Sequence, residues 1–478
     1  MASFSSTRDD KLLTPYSIMF TLSPQQGFAL LMMLMLLLMG ALLLAPLTPA
    51  RLQAEREQLT ATSLARAKEA LIAYAVSYGD KHPNKVPGYL PCPETATPAT
   101  PADEGSAESS CAAKNISVIG KFPWKTLGLG PLRDGYGECL WYAVSGSHKN
   151  NPPTEMMNWD TTGWLSILSP DGAGFIVGDS PDNRAAAVIF APGAVTGSQN
   201  RSAVANAAVC GGNYNPGNYL EASGAANNAV VSAVANALSV FISAGFDNGV
   251  NDRYLAITPQ EIFAAIEKRS DFSATIGSFT GKVGNCIAAY GSRNAGGSGD
   301  KRLPWPAPIA LADYLANASY DDDIDRLSGR LPYRVNNSKT RTANGMTGTN
   351  LVIGVNCPGP WSALDDEWYK NWKDHLFYAL GGAFGPGAAT PSICPSCLSA
   401  NGIGSYAAIV LFAGKKLAGQ KRISLADKAA ISNYLEDRNS ANDPNAGGNS
   451  DYRNSPATAG LNDLLYCIDS GLSVAPCP

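Results

Sequence analysis

The sequence has little of what most enzymes and nucleic-acid-binding proteins depend on. Only three of its 478 residues are histidines, and charged residues make up 16% of the chain. No GxSxG, HExxH, Walker or suitably placed GxGxxG motif is present, so we predict that the protein is not an enzyme. The net charge of -4 provides no electrostatic reason to expect a nucleic-acid partner. The chain is long enough for two or three domains, each with its own core.

Cysteine, by contrast, is plentiful, and the ten cysteines form an even set. An even number of cysteines behind an apolar segment favours disulfides in an oxidising compartment. A zinc site is disfavoured because Cys394-Pro-Ser-Cys397 is the only close cysteine pair in the sequence, and a tetrahedral site needs a second pair of ligands. The candidate disulfide residues are Cys92, Cys111, Cys394, Cys397, Cys467 and Cys477. The first two flank a Pro/Thr/Ala/Ser-rich loop and form the preferred bridge, and the last two would hold the C-terminus. Cys394 and Cys397 form either one structural disulfide or two separate bridges.

Two acidic stretches offer oxygen atoms that Ca²⁺ could bind. One contains Asp321, Asp322, Asp323 and Asp325, and the other is 247–252. Neither has the spacing of an EF-hand loop. We therefore predict no cofactor, with calcium at the 321–325 stretch as the alternative.

The longest apolar run is "QQGFALLMMLMLLLMGALLLAP", from Gln25 to Pro46. No charged side chain occurs from Phe28 to Leu47, and twenty helical residues at 1.5 Å each span roughly 30 Å, the thickness of a bilayer core. We predict a transmembrane helix over 28–50. A cleavable secretory signal is the alternative, although the apolar part of such signals is only about 7–15 residues long. An amphipathic helix is predicted over 51–79, where Gly79 ends it.

Past this helix, the chain contains an internal repeat. Six strings recur in the same order, with spacings that drift as loop insertions would make them drift. The pairs of strings are LIAYAVSYGDKHPNKVPGYLPCP and CIAAYGSRNAGGSGDKRLPWPAP, GKFPWK and GRLPYR, CLWYAVSG and HLFYALGG, AAVIFAPGAVTGSQNR and AIVLFAGKKLAGQKR, NYLEA and NYLED, and NDRYLAI and NDLLYCI. The fold class predicted is α+β: two tandem modules, 51–265 and 266–478, each with a helix packed on an antiparallel sheet.

The N-terminal region resembles the type IV pilin and type II secretion pseudopilin superfamily. In that family a leader ending in Gly is cut before a Phe, whose amine is then methylated. Gly27 and Phe28 match this processing site, which makes 1–27 the leader. The strings ALIAYAVSYG and FPWKTLGLGPLRDGYGECLWYAVS also look like those of large pseudopilins. The resemblance implies two pilin-like modules, and it covers the second module only through its similarity to the first.

One departure from the family pattern is informative. The fifth mature residue is usually Glu, but here it is Met32. In the resembled filaments this Glu meets the methylated amine of the next subunit, and the largest minor pseudopilin, which caps the filament, lacks it. Because a buried carboxylate is costly without a partner, Met32 favours a tip or initiating subunit.

The resemblance therefore implies a function, partners and a location. We predict a minor pilin or pseudopilin at the tip of a type II secretion pseudopilus or type IV pilus. The expected partners are prepilin peptidase, other pilins or minor pseudopilins through the N-terminal helix, and inner-membrane lipid. The expected location is the inner membrane, single-pass, with periplasmic C-terminal domains. The alternatives are a pilus-tip adhesin that binds a surface or glycan, a simple single-span anchor, and a single-span periplasmic enzyme.

Overall fold

The computed structural model describes most of the chain. The described residues are 24–44, 49–197, 199–245, 249–293, 301–323, 326–335, 349–352, 356–359, 361–388, 397–441, 450–454 and 460–478. The chain divides into two compact units, Met1–Gln58 and Leu59–Pro478. Most of the elements below belong to the larger unit.

Eight α-helices occur among the described residues. They are α1 (Pro24–Leu44), α2 (Pro49–Val76), α3 (Tyr78–Lys81), α4 (Pro259–Glu267), α5 (Phe272–Ser292), α6 (Ala363–Trp372), α7 (Leu425–Lys428) and α8 (Asp437–Ala441). Capping boxes begin three of them. At α4, the Thr258 side chain accepts from the Glu261 amide while Glu261 accepts from the Thr258 amide, as its sequence predicts. The same arrangement begins α6 at Ser362 and α7 at Ser424.

Eighteen strands accompany these helices in the described ranges. They are β1 (Val118–Lys121), β2 (Trp141–Val144), β3 (Leu165–Leu168), β4 (Phe175–Val177), β5 (Ala187–Ala191), β6 (Ala222–Ser223), β7 (Ala226–Asn227), β8 (Ser239–Ile242), β9 (Arg253–Ile257), β10 (Ser328–Arg330), β11 (Arg334–Val335), β12 (Thr349–Asn350), β13 (Leu376–Leu380), β14 (Leu398–Ala400), β15 (Ile403–Phe412), β16 (Asp451–Tyr452), β17 (Leu464–Asp469) and β18 (Val474–Pro476).

The two largest sheets share one antiparallel strand order. The first is β1-β2-β5-β9, and the second contains β10-β13-β15-β17. Even the register agrees, because Gly120 lies opposite Tyr142 and Gly329 lies opposite Tyr378. The strings repeated in the sequence therefore occupy equivalent strands. We call α2 with the first four strands the first repeat, and α5 with the second four the second repeat.

One long helix packs in each repeat. In α2 the buried residues Leu64, Ala67, Leu71 and Ala75 recur at helical spacing, as the amphipathic pattern predicts. In α5, small residues allow the sheet to approach closely: a Cβ on Gly281 would lie 2.8 Å from the Tyr466 ring. Both helices contribute to a single hydrophobic core. The repeats are therefore not independently packed bodies.

The predicted fold class is wrong. Among the described residues, no helix is both long and apolar enough to cross a membrane. The predicted transmembrane helix over 28–50, and with it the single-pass inner-membrane location, is overturned by this finding.

The prediction of two tandem pilin-like modules, each a helix on one small sheet, also needs correction. The chain is richer in strands and sheets than that. The second large sheet has seven strands, including a parallel pair, β14 with β16. A further three-stranded sheet, β4-β3-β8, contains an antiparallel pair, β3 with β4, and a parallel pair, β3 with β8. Short apolar runs show that strands exist, but they do not show how many sheets the strands form.

Candidate functional site

Helix α1 carries an exposed apolar surface within the Met1–Gln58 unit. Its large side chains are apolar from Phe28 to Met39, with exposed fractions between 53% at Met32 and 69% at Leu30. A helix that is apolar on all sides is normally covered by other protein or by lipid. The surface therefore identifies α1 as a region that needs a partner.

The predicted processing residues lie at the start of this surface. Gly27 is in the first turn of α1, and Phe28 is 68% exposed. Met32 lies four residues after Phe28, about one helical turn along the same face. The structure thus brings Gly27, Phe28 and Met32 together at one end of the apolar surface.

In the larger unit, a second candidate region joins the two repeats. The segment 154–162, which we call the junction loop, follows the first repeat's β2 and docks on the second repeat. The amide of Met157 donates to the side-chain oxygen of Asn371 at 2.6 Å, and the Asn158 amide group donates to Asp374 at 3.0 Å. The Trp159 ring packs edge-on against Trp372, with ring centres 4.7 Å apart. These contacts explain why Leu59–Pro478 forms one compact unit.

Four charged or titratable side chains meet at the end of the junction loop. His375 Nδ1 lies 2.9 Å from Asp374 Oδ1, and His375 Nε2 lies 3.4 Å from Asp160 Oδ2. Arg422 Nη1 lies 3.6 Å from the same Asp160 oxygen and 3.2 Å from His375 Nε2. All four side chains are at most 2% exposed. We call them the Asp160 cluster.

The Asp160 cluster has the residue types of a metal site, but its charges are already balanced. One ligand atom each from Asp160, Asp374 and His375 lie within 4.8 Å of one another. Arg422 lies beside them, however, and Lys428 is 3.5 Å from Asp374. Burial acts to raise the pKa of Asp374, but the charges of His375 and Lys428 outweigh it and hold that pKa well below its usual range. We interpret the cluster as a buried ion-pair network that fixes the junction loop.

His375 takes the position of Cys139, because the repeated strings HLFYALGG and CLWYAVSG begin with these two residues. The sequence does contain a signal for the arginine of the Asp160 cluster. The repeated strings AAVIFAPGAVTGSQNR and AIVLFAGKKLAGQKR both end in arginine, at Arg201 and Arg422. Arg201 and Arg422 donate to matching acceptors at the ends of β5 and β15. The acceptors are Gly193 O, Gln199 Oε1, Asn218 O and Tyr219 O for Arg201, and Gly414 O, Gln420 Oε1, Asn433 O and Tyr434 O for Arg422.

A buried aspartate beside a glutamate also occurs once in each repeat. Asp252 accepts from the Glu221 amide at 2.9 Å, and Asp463 accepts from the Glu436 amide at 3.2 Å. Burial raises the pKa of both aspartates, and the negative charge of the neighbouring glutamate raises it further. Each pair therefore favours holding a proton.

One serine and one histidine lie close enough to suggest nucleophilic catalysis. Ser147 Oγ is 2.8 Å from His148 Nδ1, but this hydroxyl also donates to the Thr162 carbonyl at 2.7 Å. Burial lowers the pKa of His148 to about 3, which makes it a weak base at neutral pH. No acidic side chain accepts a hydrogen bond from His148 among the described residues. The pair therefore lacks the third member of a catalytic triad.

The predicted disulfide bonding is confirmed. Cys92 is bonded to Cys111, the bridge preferred from sequence, and Cys467 is bonded to Cys477, the pair expected to hold the C-terminus. Two further bridges, Cys139–Cys210 and Cys286–Cys357, were not anticipated, because connectivity cannot be deduced from sequence alone. Cys397 is disulfide-bonded, and Cys394 lies outside the described residues.

The carboxylates considered for calcium have other partners. Asp321 forms a two-pronged ion pair with Arg334 at 2.9 and 2.7 Å, and Asp323 pairs with Arg326 at 2.5 Å. Asp322 is buried, and Asp325 lies outside the described residues. Arginine side chains thus occupy the carboxylate oxygens of Asp321 and Asp323 that would otherwise bind a calcium ion.

Beside the Asp160 cluster lies a polar cavity of about 190 Å³, which we call the Asn115 cavity. Its lining includes Asn115, Ser147, Thr154, Asp160, Thr162 and Trp164. Lys428 of the second repeat also borders it, so the cavity exists only where the two repeats meet.

Comparison with protein-family models, curated protein sequences and solved structures found no match to this chain.

Proposed function

We propose that this protein is a non-enzymatic filament subunit of the minor pilin or pseudopilin type, acting at the tip or start of a type II secretion pseudopilus or a type IV pilus. The observation that carries the proposal is the exposed apolar surface of α1, which begins at the Gly27–Phe28 step. Apolar helices of neighbouring subunits would cover this surface and remove it from water. Prepilin peptidase would first release the amine of Phe28.

The tip position is supported by the absence of an acid in the first turn after Phe28. A carboxylate at Met32 would be costly in a filament core unless the amine of another subunit met it. A subunit with no neighbour above it has no such amine to meet. Met32, which is apolar and 53% exposed, suits that terminal position.

The non-enzymatic part of the proposal rests on the arrangement of the histidines. His148 is a weak base in a buried position, and His375 is held between Asp160 and Asp374. The third, His82, stacks on Tyr78 with ring centres 4.0 Å apart. Ser147 lies 2.8 Å from His148 Nδ1, but it donates its hydroxyl proton to the Thr162 carbonyl.

Processing can be tested with two glycine variants expressed together with prepilin peptidase. We expect Gly27→Leu to abolish cleavage, because the resembled family requires a small residue before the cut. Gly40→Leu is the matched control, since no atom lies within 4 Å of a Cβ added at Gly40. Normal cleavage of Gly27→Leu, measured as the shift in mass, would contradict the proposal.

The tip role can be tested at neighbouring methionines. Met32→Glu restores the family's usual acid and should allow the subunit to enter the filament shaft, whereas Met33→Glu places the same charge at a position with no expected partner. Immuno-electron microscopy of filaments would measure where each variant is incorporated. Equal behaviour of the two variants would count against the tip role.

A further inference from the structure

We propose that the Asn115 cavity binds one ring of a neutral sugar or a polyol of similar size. The cavity belongs to the larger unit, and the inference does not depend on the filament function proposed for α1.

The first support is a set of buried oxygens that accept no hydrogen bond in the described part of the chain, although His375 and Arg422 lie 3.4 and 3.6 Å from one oxygen of Asp160 as ion-pair partners. Asn115 Oδ1 and both carboxylate oxygens of Asp160 are buried and accept no hydrogen bond among the described residues. The Asp160 side chain is only 2% exposed. Buried oxygens of this kind normally have a donor, and a carboxylate can only accept. A ligand with several hydroxyl groups, such as a sugar, would supply the donors that these oxygens lack.

The second support is the charge around the cavity, which disfavours ions of either sign. A cation would meet Lys428 at the wall, and Arg422 lies 3.6 Å from Asp160. An anion would meet Asp160 itself and Glu155, which also lines the cavity. A neutral ligand with many hydroxyl groups avoids both conflicts.

The third support is the size and shape of the space. A volume of about 190 Å³ corresponds to roughly six water molecules at about 30 Å³ each, which suits one sugar ring. The half-buried residue Trp164 is among those that line the cavity. An aromatic wall among a few polar groups is the usual composition of a small-molecule pocket, and an indole can pack on the apolar C–H face of a sugar.

The test is isothermal titration calorimetry of the purified full chain with glucose, galactose, mannose, N-acetylglucosamine and glycerol. Methylammonium chloride and sodium acetate serve as cation and anion probes. The variants are Trp164→Ala and Asn115→Gly. Glycine is suitable at position 115 because the backbone φ there is 61°, which glycine adopts without strain. The matched control is Trp361→Ala, another half-buried tryptophan, which donates to Asp366 and does not line the cavity.

We expect at least one sugar or glycerol to bind with a millimolar Kd. Asn115→Gly and Trp164→Ala should each weaken that binding by about tenfold or more, while Trp361→Ala leaves it unchanged. A thermal melt verifies that each variant is folded, and Asn115→Gly alone decides the outcome if Trp164→Ala does not fold. The proposal is overturned if none of these neutral ligands binds, if Asn115→Gly binds like the unmodified chain, or if either ion binds more tightly than all of them.

Discussion

The two repeats share their internal scaffolding but differ where they meet. Arg201 and Arg422 bind equivalent carbonyl groups, and the Glu221–Asp252 pair has its counterpart in Glu436–Asp463. These groups sit at the ends of equivalent strands and hold the following loops. Residues that recur therefore preserve the fold of each repeat.

The difference is clearest at the position before β2 and β13. In the first repeat Cys139 is bonded to Cys210, so its sulfur is fully used within that repeat. In the second repeat the same position is His375, whose two ring nitrogens reach Asp374 and Asp160. The first repeat forms a disulfide at this position, whereas the second repeat uses His375 there to contact Asp160 of the junction loop. Residues that diverge between the repeats therefore create the contact between them.

The largest effect that tests this comparison comes from the disulfides. Cys139–Cys210 and Cys286–Cys357 both have a sequence separation of 71, whereas Cys467–Cys477 has one of 10. In the chain-entropy model, removing either of the first two by paired Cys→Ala substitutions should lower the free energy of unfolding by about 4 kcal/mol, and removing the third by about 3 kcal/mol. Urea denaturation measures this. Unequal losses for the two equally spaced bridges would show that strain or packing, not loop length, dominates.

The next effect separates the two arginines. Arg422→Met leaves Asp160 buried without its guanidinium partner and should lower the free energy of unfolding by about 3 kcal/mol or more. Arg201→Met, the matched control, breaks the equivalent backbone contacts but removes no partner of Asp160. We therefore expect its loss of unfolding free energy to be about 1–2 kcal/mol smaller than that of Arg422→Met. Both variants can be compared by urea denaturation with intact disulfides. Equal losses would contradict the special role of the Asp160 cluster.

The carboxyl pairs should give the two repeats the same pH response. Burial raises the pKa of Asp252 and Asp463, so the folded state binds these protons more tightly than the unfolded chain does. The resulting stabilisation is complete below the unfolded value of about 3.9 and is lost as the pH rises through the folded pKa. In each of the variants Asp252→Asn and Asp463→Asn, the free energy of unfolding should therefore decrease less steeply as the pH rises, and by a similar amount in the two. A change in only one variant would show that the networks are not equivalent.

A smaller effect should be confined to the first repeat. Burial raises the pKa of Glu94 to about 7. Glu94 forms an isolated β-bridge with Lys121 through the backbone, and the equivalent β-bridge in the second repeat joins Ala307 and Arg330. Stability from the Glu94 proton is complete below about 4.3 and is lost as the pH rises through about 7. Glu94→Gln should remove this contribution between those pH values, whereas Ala307→Gly should leave the pH dependence unchanged. Thermal melts across that range would measure it, and an unchanged slope for Glu94→Gln would contradict the assignment.

Sequence reasoning succeeded where the determinants are local or repeated. Matching strings located equivalent strands, and the amphipathic pattern located α2, because helix and strand patterning act over a few residues. The junction loop could not be predicted in this way. Its main contacts join Asp160 to His375 and Met157 to Asn371, pairs far apart in the chain with no periodic pattern. The membrane prediction failed because an apolar run shows that a helix must be shielded from water, but it does not show whether lipid or other protein shields it.

The most direct test of the proposed function is mass spectrometry of the N-terminus of the protein isolated from cells that produce it. The account predicts a mature chain that begins at Phe28 with a methylated amine, which leaves the exposed surface of α1 ready to pack against other subunits. An intact Met1, or a chain that begins at Arg51 without the apolar helix, would contradict it.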